Sequence, residues 1–461
     1  MTAALDWIRA LPQRYGKRTL IALGAIALLG LFVRAYVVVD PVAHPGDDSR
    51  AYYALSKALY EEQSFGGPEF EDSSDWSPGA PFLYAAAFYA TGGAREGTAR
   101  IVEALLGVAT ILVVFALAWR LGGRRHGRRT GLFAAFVVAV YPPFIHTTGV
   151  VMSEPPAMLT LPAAVLAFLW AGDQERTWPW LVPGFLFGLT AMFRPEYLLV
   201  GAAFVVLALL RVFFDPDRHD KSNWRPGLTN AAVLLVALLL PILPWTVRNL
   251  VVLDKVVPIS TGGGKALYVG TYLPGDGEYQ RVKAVLAERY LGRDLEPGSA
   301  ELDAVNPTPL FNRVAREEHP DLPRDEALGK VGKENFEEYF EEDPLGYLGM
   351  TARKIGRMWS SGVGEAMSST PGRIVQALLV LLGLGGLALL GLRRRWWDLV
   401  VLATPIALIT AVGAVSLAAP RRNEVLMTLV FPLAGLVLSS GLAAIFSGRE
   451  CSREQASSRL N

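Results

Sequence analysis

Run after run of this chain is apolar and almost uncharged: Leu20 to Phe32, Val102 to Leu117, Val200 to Leu210 and Ala231 to Leu243. Crossing roughly 30 Å of hydrocarbon takes about 20 such residues in a helix, because no water is there to satisfy an open backbone. A buried helix of a water-soluble domain could account for one such run. It cannot account for all of them.

Composition agrees. Of 461 residues, 52% are hydrophobic and only 19% charged, above and below the usual figures for soluble domains. The formal net charge is +1, and no cluster interleaves bases with aromatics, so nucleic acid is not an expected partner. Cys451 is the sole cysteine, which excludes an internal disulfide and a cysteine metal cluster. Arg9, Arg14, Lys17 and Arg18 precede the first apolar run, a charged start shared with cleaved signal peptides. The run continues from Leu20 to Val39 with no small-x-small site closely behind it, so a retained first span is expected.

The expected fold is an all-α polytopic membrane protein with about ten transmembrane helices. Spans are placed near 20–39, 100–121, 130–149, 151–171, 178–193, 195–214, 228–252, 373–392, 397–418 and 424–446. Lys and Arg in short loops set the orientation. Arg124, Arg125, Arg128 and Arg129 mark one loop as cytoplasmic, and Arg393, Arg394 and Arg395 another. The chain then divides into an N-terminal membrane module, 1–252, with a helical first outer loop at 40–99. A mainly helical outer segment follows at 253–372, then C-terminal spans at 373–446 and a cytoplasmic tail at 447–461. The apolar stretch Pro78–Thr91 is too short to cross and would invert the basic loops if it did. It is expected as an interfacial or re-entrant helix.

The outer segments carry patterns of their own. Nine acids (Asp40, Asp47, Asp48, Glu61, Glu62, Glu69, Glu71, Asp72, Asp75) face only Arg50 and Lys57 within 40–77. Helical, charge-rich stretches lie around 278–292 and 324–342. Leu345, Leu348, Ala352, Ile355 and Trp359 recur at helical spacing opposite Arg353, Lys354 and Arg357, the pattern of a helix lying at a membrane surface. Ionisable groups are nearly absent from span centres and gather at the outer ends: Asp47 and Asp48, Glu154, Arg194 and Glu196, Arg248 beside the polar Asn249, then Arg421, Arg422 and Glu424. Any one of these charges could be a snorkelling end. Several acids and bases at one depth suit an anionic lipid headgroup together with a step that needs a base.

In chain order, the runs Gly46-Asp47-Asp48-Ser49-Arg50-Ala51-Tyr52-Tyr53 and Ser77-Pro78-Gly79-Ala80-Pro81-Phe82-Leu83-Tyr84 resemble the first outer loop of class C glycosyltransferases. The similarity is to the family 39-like branch, which holds protein O-mannosyltransferases and lipid A aminoarabinose transferases. Ser153-Glu154-Pro155, Phe193-Arg194-Pro195-Glu196, Pro244-Trp245-Thr246-Val247-Arg248-Asn249, Gly262 through Gly270 and Pro420-Arg421-Arg422 extend it along nearly the whole chain. The resemblance implies the class C fold and a membrane enzyme that takes a sugar from a polyprenyl-phosphate carrier. It further implies a site facing outside a bacterial plasma membrane, with a glycan, lipid or protein acceptor. An aspartate of the first outer loop is catalytic in the family; that role falls on Asp47, or on the adjacent Asp48. Glu154, Arg194, Glu196, Arg248, Lys265, Tyr268, Arg421 and Arg422 form the implied substrate-binding set. Aminoarabinose transferases carry a base before the Pro-rich element, where this chain has Ser77.

That chemistry is self-consistent. An acceptor hydroxyl becomes nucleophilic when a carboxylate takes its proton, and a lipid phosphate leaves as an anion that nearby cations stabilise. Direct displacement inverts the anomeric centre, whereas a hydrolase would place two carboxylates astride the bond. Simpler roles remain open: Asp47 as a cap for a helix starting near Ser49, Glu154 as a cap for the span after it, Arg421 and Arg422 as topology anchors. Gly262-Gly263-Gly264-Lys265 lacks the Walker spacing. Histidines such as His44 are scattered, so no metal is expected. Arg34, inside the first span, needs a partner or a cavity. The competing class is a transporter or flippase of a lipid-linked sugar or other solute, which would place charge or broken helices at mid-membrane in two related halves.

Overall fold

A computed structural model describes residues 13–41, 47–66, 73–214 and 224–457, and among these there is no strand. Arg9, His44, Gly46, Glu69, Glu71 and Asp72 lie outside the described residues, as do the side chains of Asp47 and Cys451. Seventeen helices of nine residues or more are used below.

The membrane module begins with α1 (Lys17–Val39), α2 (Asp47–Glu61), α3 (Gly79–Thr91) and α4 (Glu96–Val140). It continues with α5 (Glu154–Gly172), α6 (Leu181–Phe193), α7 (Tyr197–Phe214), α8 (Arg225–Leu239) and α9 (Ile242–Leu253). On α1, Ile21, Leu28, Phe32 and Tyr36 are each at least 68% exposed; an apolar surface left open on every side but one is a lipid-facing surface. Among the described residues, six helices are long and apolar enough to cross a membrane; α8 and α9 together could form a further span, bent by 49°. The bend falls at Pro241, whose ring and missing N–H interrupt the helical ladder. α6 and α7 are shorter apolar helices. At 45 residues α4 would measure about 67 Å if straight, twice the hydrocarbon thickness. Gly123, at φ 62° and ψ −164°, breaks it into two arms at the basic loop. The expected spans map onto these helices and α15–α17 with two corrections: 130–149 runs past the end of α4 at Val140, and 228–252 divides into α8 and α9 at Pro241. The chain is a multi-pass membrane protein.

Arg34 finds its partners. Fully buried, it crosses from α1 to the second arm of α4 and donates to the carbonyls of Ala139 (3.1 Å) and Val138 (3.0 Å). Gly107 on the first arm leaves it room, since a Cβ there would stand 2.8 Å from the Arg34 Cδ.

Residues 253–372 form a helical cap: α10 (Gly263–Thr271), α11 (Tyr279–Leu291), α12 (Pro307–Glu318), α13 (Arg324–Glu342) and α14 (Pro344–Ser360). The cap has its own apolar core, including Tyr268, Val282, Leu286, Phe311 and Leu328. Three spans follow: α15 (Thr370–Leu392), α16 (Trp396–Val415) and α17 (Arg421–Ser457). α14 keeps Leu345 and Leu348 exposed while burying Tyr347, Met350, Lys354 and Met358. The Lys354 ammonium donates to Gly270 O (2.6 Å) on α10 and Ala414 O (2.9 Å) on α16, and the Trp359 indole donates to Thr410 (3.2 Å). Contacts descending along α16 in this way run α14 beside that span, with its C-terminal end wedged among the span ends. Gly270 is required there: a Cβ would lie 2.6 Å from the Leu417 nitrogen. The cap is therefore stapled to the Ser416–Leu417 segment that leads into Arg421.

Candidate active site

Four separated segments meet at the cap face of the bundle. The first is the start of α2. Asp47 opens the helix and Asp48 follows in its first turn, where acids suit the unpaired N–H groups and the positive end of the helix dipole. The next residue, buried Ser49, accepts a hydrogen bond from Val151 N at 2.9 Å.

That bond leads to the second segment, the turn Val151–Ser153 before α5. The buried Glu103 carboxyl accepts from Met152 N at 2.9 Å. The Tyr84 hydroxyl lies 2.8 Å from Glu103 Oε1 and 2.6 Å from the Met152 carbonyl oxygen. Pro155 and Pro156 then fix the first turn of α5, and Glu154 is delivered with only 1% of its side chain exposed. Glu103 and Tyr84 were absent from the sequence-derived site. Their signal was available: Glu103 is the one acid in an otherwise apolar stretch, and such a residue needs a partner.

The third segment is the turn after α6. Arg194 ends the helix in extended conformation, as a residue before proline prefers. Its guanidinium is saturated on two sides. Nη1 donates to Glu154 at 2.5 Å, and Nε and Nη2 donate to Glu196 at 3.1 and 2.8 Å. Burial would raise the Glu196 carboxyl, but Arg194 and then Arg422 outweigh it and hold it down at about 2.

The fourth segment opens α17. Arg421 Nη1 pairs with Asp48 Oδ2, and Arg421 Nε lies 3.9 Å from Glu154. Burial works to raise the Asp48 carboxyl. Arg421, with Lys265 and Arg194 behind it, wins, and Asp48 stays below the usual carboxylate range. The result is an alternating string, Asp48–Arg421–Glu154–Arg194–Glu196, in which Arg421 and Asp48 keep 40% and 33% of their side chains exposed while Glu154 keeps 1%. Arg422 donates to Ser416 at 3.2 Å and faces Glu196 electrostatically.

The cap closes one side. Thr261 N donates to Ser74 O at 2.8 Å and its hydroxyl to Asp75 at 2.6 Å; Arg324 pairs with Asp75. Lys265, on α10, sits over the rings of Tyr279 and Phe311 at 5.3 and 5.1 Å. Burial pushes its ammonium below the usual lysine range, against the opposing pull of Asp48 and Asp75.

Two expected contributors stand elsewhere. The Arg248 guanidinium lies over Trp245 at 4.8 Å and donates to Phe65 O at 3.2 Å. It fastens α9 to the chain after α2 and joins none of the acids above. Tyr268 is buried in the cap core against Tyr272 and Phe311. Among the described residues no group of three or more His, Cys, Asp or Glu is arranged to hold a metal ion.

Residues 75–245 match the family model described as dolichyl-phosphate-mannose-protein mannosyltransferase. That span contains Glu154, Arg194 and Glu196 and excludes Asp48 and Arg421. No curated protein matches the chain. Among solved structures, the chain is similar to the oligosaccharyltransferase AglB of Archaeoglobus fulgidus in complex with an inhibitory peptide and a dolichol-phosphate. Identity is 15%, coverage 96% of this chain and 52% of that one, and the TM-score 0.53. The same enzyme tethered to an acceptor peptide gives 14% identity, 94% and 50% coverage and a TM-score of 0.56. ArnT of Cupriavidus metallidurans bound to undecaprenyl phosphate gives 14% identity, 91% and 77% coverage and a TM-score of 0.40. The chain spans about half the length of the archaeal structures it matches. Its fold is the class C glycosyltransferase fold.

Proposed function

We propose that the chain is a membrane glycosyltransferase. It moves a sugar from a polyprenyl-phosphate carrier to an acceptor hydroxyl at the cap face, with inversion. The observation that carries this reading is the string Asp48–Arg421–Glu154–Arg194–Glu196, assembled at one face from segments hundreds of residues apart in a class C glycosyltransferase fold. The basic loops lie at the far end of the spans, where Arg395 donates to Leu121 O at 2.5 Å; Lys and Arg on that side support a cap that faces outside.

Each residue then has a task. Asp48, or its neighbour Asp47, takes the acceptor proton as the new C1–O bond forms. The bond from C1 to the phosphate oxygen breaks on the opposite face, and the carrier phosphate departs with the electron pair and an added negative charge. Arg421 and Arg422, at the cap face, offset that charge. Arg194 is fully engaged by Glu154 and Glu196, so its part is to hold both carboxylates in place. Lys265 and the aromatic rings beneath it flank the acceptor side. Glycan, lipid and protein hydroxyls are all acceptors this chemistry admits.

The test is transfer from a labelled polyprenyl-phosphate sugar by purified protein in liposomes, with envelope extract as acceptor. Asp48→Asn and Asp47→Asn each keep the side-chain shape, and the variant that removes the base should lose roughly 10²–10⁴-fold in rate. Parental rates in both variants would sink the aspartate-base mechanism. Movement of the lipid-linked sugar across the bilayer without transfer would make the protein a transporter.

A further inference from the structure

The pairing of Arg421 with Asp48 poses a conflict. In the reading above, which this inference rests on, Arg421 must meet a phosphate and Asp48 must accept a proton, yet each occupies the other. A carboxylate whose oxygen is engaged by a guanidinium is a poor proton acceptor. Arg421 has one hydrogen-bonded partner among the described residues, Asp48, with Glu154 next at 3.9 Å. Arg194, by contrast, is spanned by two acids and is 11% exposed. So Arg421 is the string's cation that can change partner: it is 40% exposed, at the first turn of α17, and hydrogen-bonded on one side only, with Glu154 held at 3.9 Å on the other.

We propose that Arg421 keeps Asp48 silent until the carrier phosphate arrives. The phosphate competes for the guanidinium, Arg421 turns from Asp48 to the phosphate oxygens, and the freed carboxylate becomes the base. Glu154, 3.9 Å away and immobilised by Arg194, remains as the second acid beside Arg421 and keeps the guanidinium at the cap face during the exchange. Donor binding thereby precedes base activation, and the acceptor is deprotonated only when a leaving group is in place.

Linkage makes this measurable, because two groups that compete for one partner weaken each other's binding reciprocally. The probe is polyprenyl phosphate without sugar, titrated into the full chain in detergent micelles. Asp48→Asn removes the competitor while preserving shape, so its dissociation constant should fall by about tenfold, an increase in affinity from deleting a site residue. Arg421→Gln should raise the constant at least tenfold, and the double variant should behave as Arg421→Gln alone. An unchanged or weaker affinity in Asp48→Asn overturns the proposal. So does a gain that persists in the double variant, which would come from lost negative charge in general. A parental chain that does not bind the probe, or an Arg421→Gln chain that binds it as tightly, instead overturns the carrier reading. Matching melting temperatures for the three variants certify that each comparison is between folded proteins.

Discussion

Arg194 and Arg421 share a side chain and differ in what surrounds it, and that difference decides their roles. Two acids fix Arg194 by hydrogen bonds; Arg421 is hydrogen-bonded to one acid, lies 3.9 Å from a second and is 40% exposed, which leaves it available. Sequence spacing placed both at the cap face, together with Asp48, Glu154, Glu196 and Arg422, because charges at apolar boundaries are conspicuous. It could not rank them, since saturation is a property of neighbours far along the chain. Arg248 shows the opposite error. It sits three residues after Trp245, so a local aromatic partner was visible, yet its place in a motif suggested a shared site. The pH prediction belongs at this scale. Arg421, Lys265 and Arg194 hold Asp48 below the usual carboxylate range, so it stays ionised as pH falls through that range. The acid limb of kcat/KM, which reports the free enzyme, should lie below ordinary aspartate values. Arg421→Gln should move it upward in the residual activity. A limb unmoved by that change would separate Asp48 from the titration.

Among the elements, the Val151–Ser153 turn has more consequence than its length suggests. Ser49, Glu103 and Tyr84 grip it from three helices, so the distance from Asp48 to Glu154 is set by buried side chains bonded directly to the backbone of the turn. Glu103→Gln keeps an acceptor for Met152 N and should retain most stability and transfer. Glu103→Leu leaves that N–H buried and unpaired, at a cost of about 1–3 kcal/mol, and should lower both melting temperature and transfer rate. Equal behaviour of the two variants would show that the carboxyl does not hold the turn. Spans were legible in the sequence because lipid demands uninterrupted apolar length. The cap helices at 279–291 and 324–342 were legible through composition and periodicity. The bend at Pro241 and the gripping of this turn were not, because both depend on which helices become neighbours.

At the scale of the whole molecule, the motif order along the chain was readable while the pairing of its ends was not. Nothing local to Asp48 indicates a partner 373 residues away. Sidedness is open to direct measurement. With Cys451→Ser as background, a cysteine at Glu296 in the cap should react with an impermeant maleimide applied outside intact cells. One at Arg125 should react only after the membrane is opened. The reverse pattern would invert the chain and put the site inside. The same end-to-end pairing has a consequence in time. A ribosome delivers Asp48 to the membrane first, Glu154 and Arg194 after it, and Arg421 later than all three. Until α17 inserts, Glu154 has only Arg194, Asp48 lacks its paired guanidinium, and the cap face lacks the cation that the proposed reaction gives to a phosphate. In the proposed reaction, a chain synthesised only as far as α16 is thus unable to consume carrier lipid, and competence arrives together with α17.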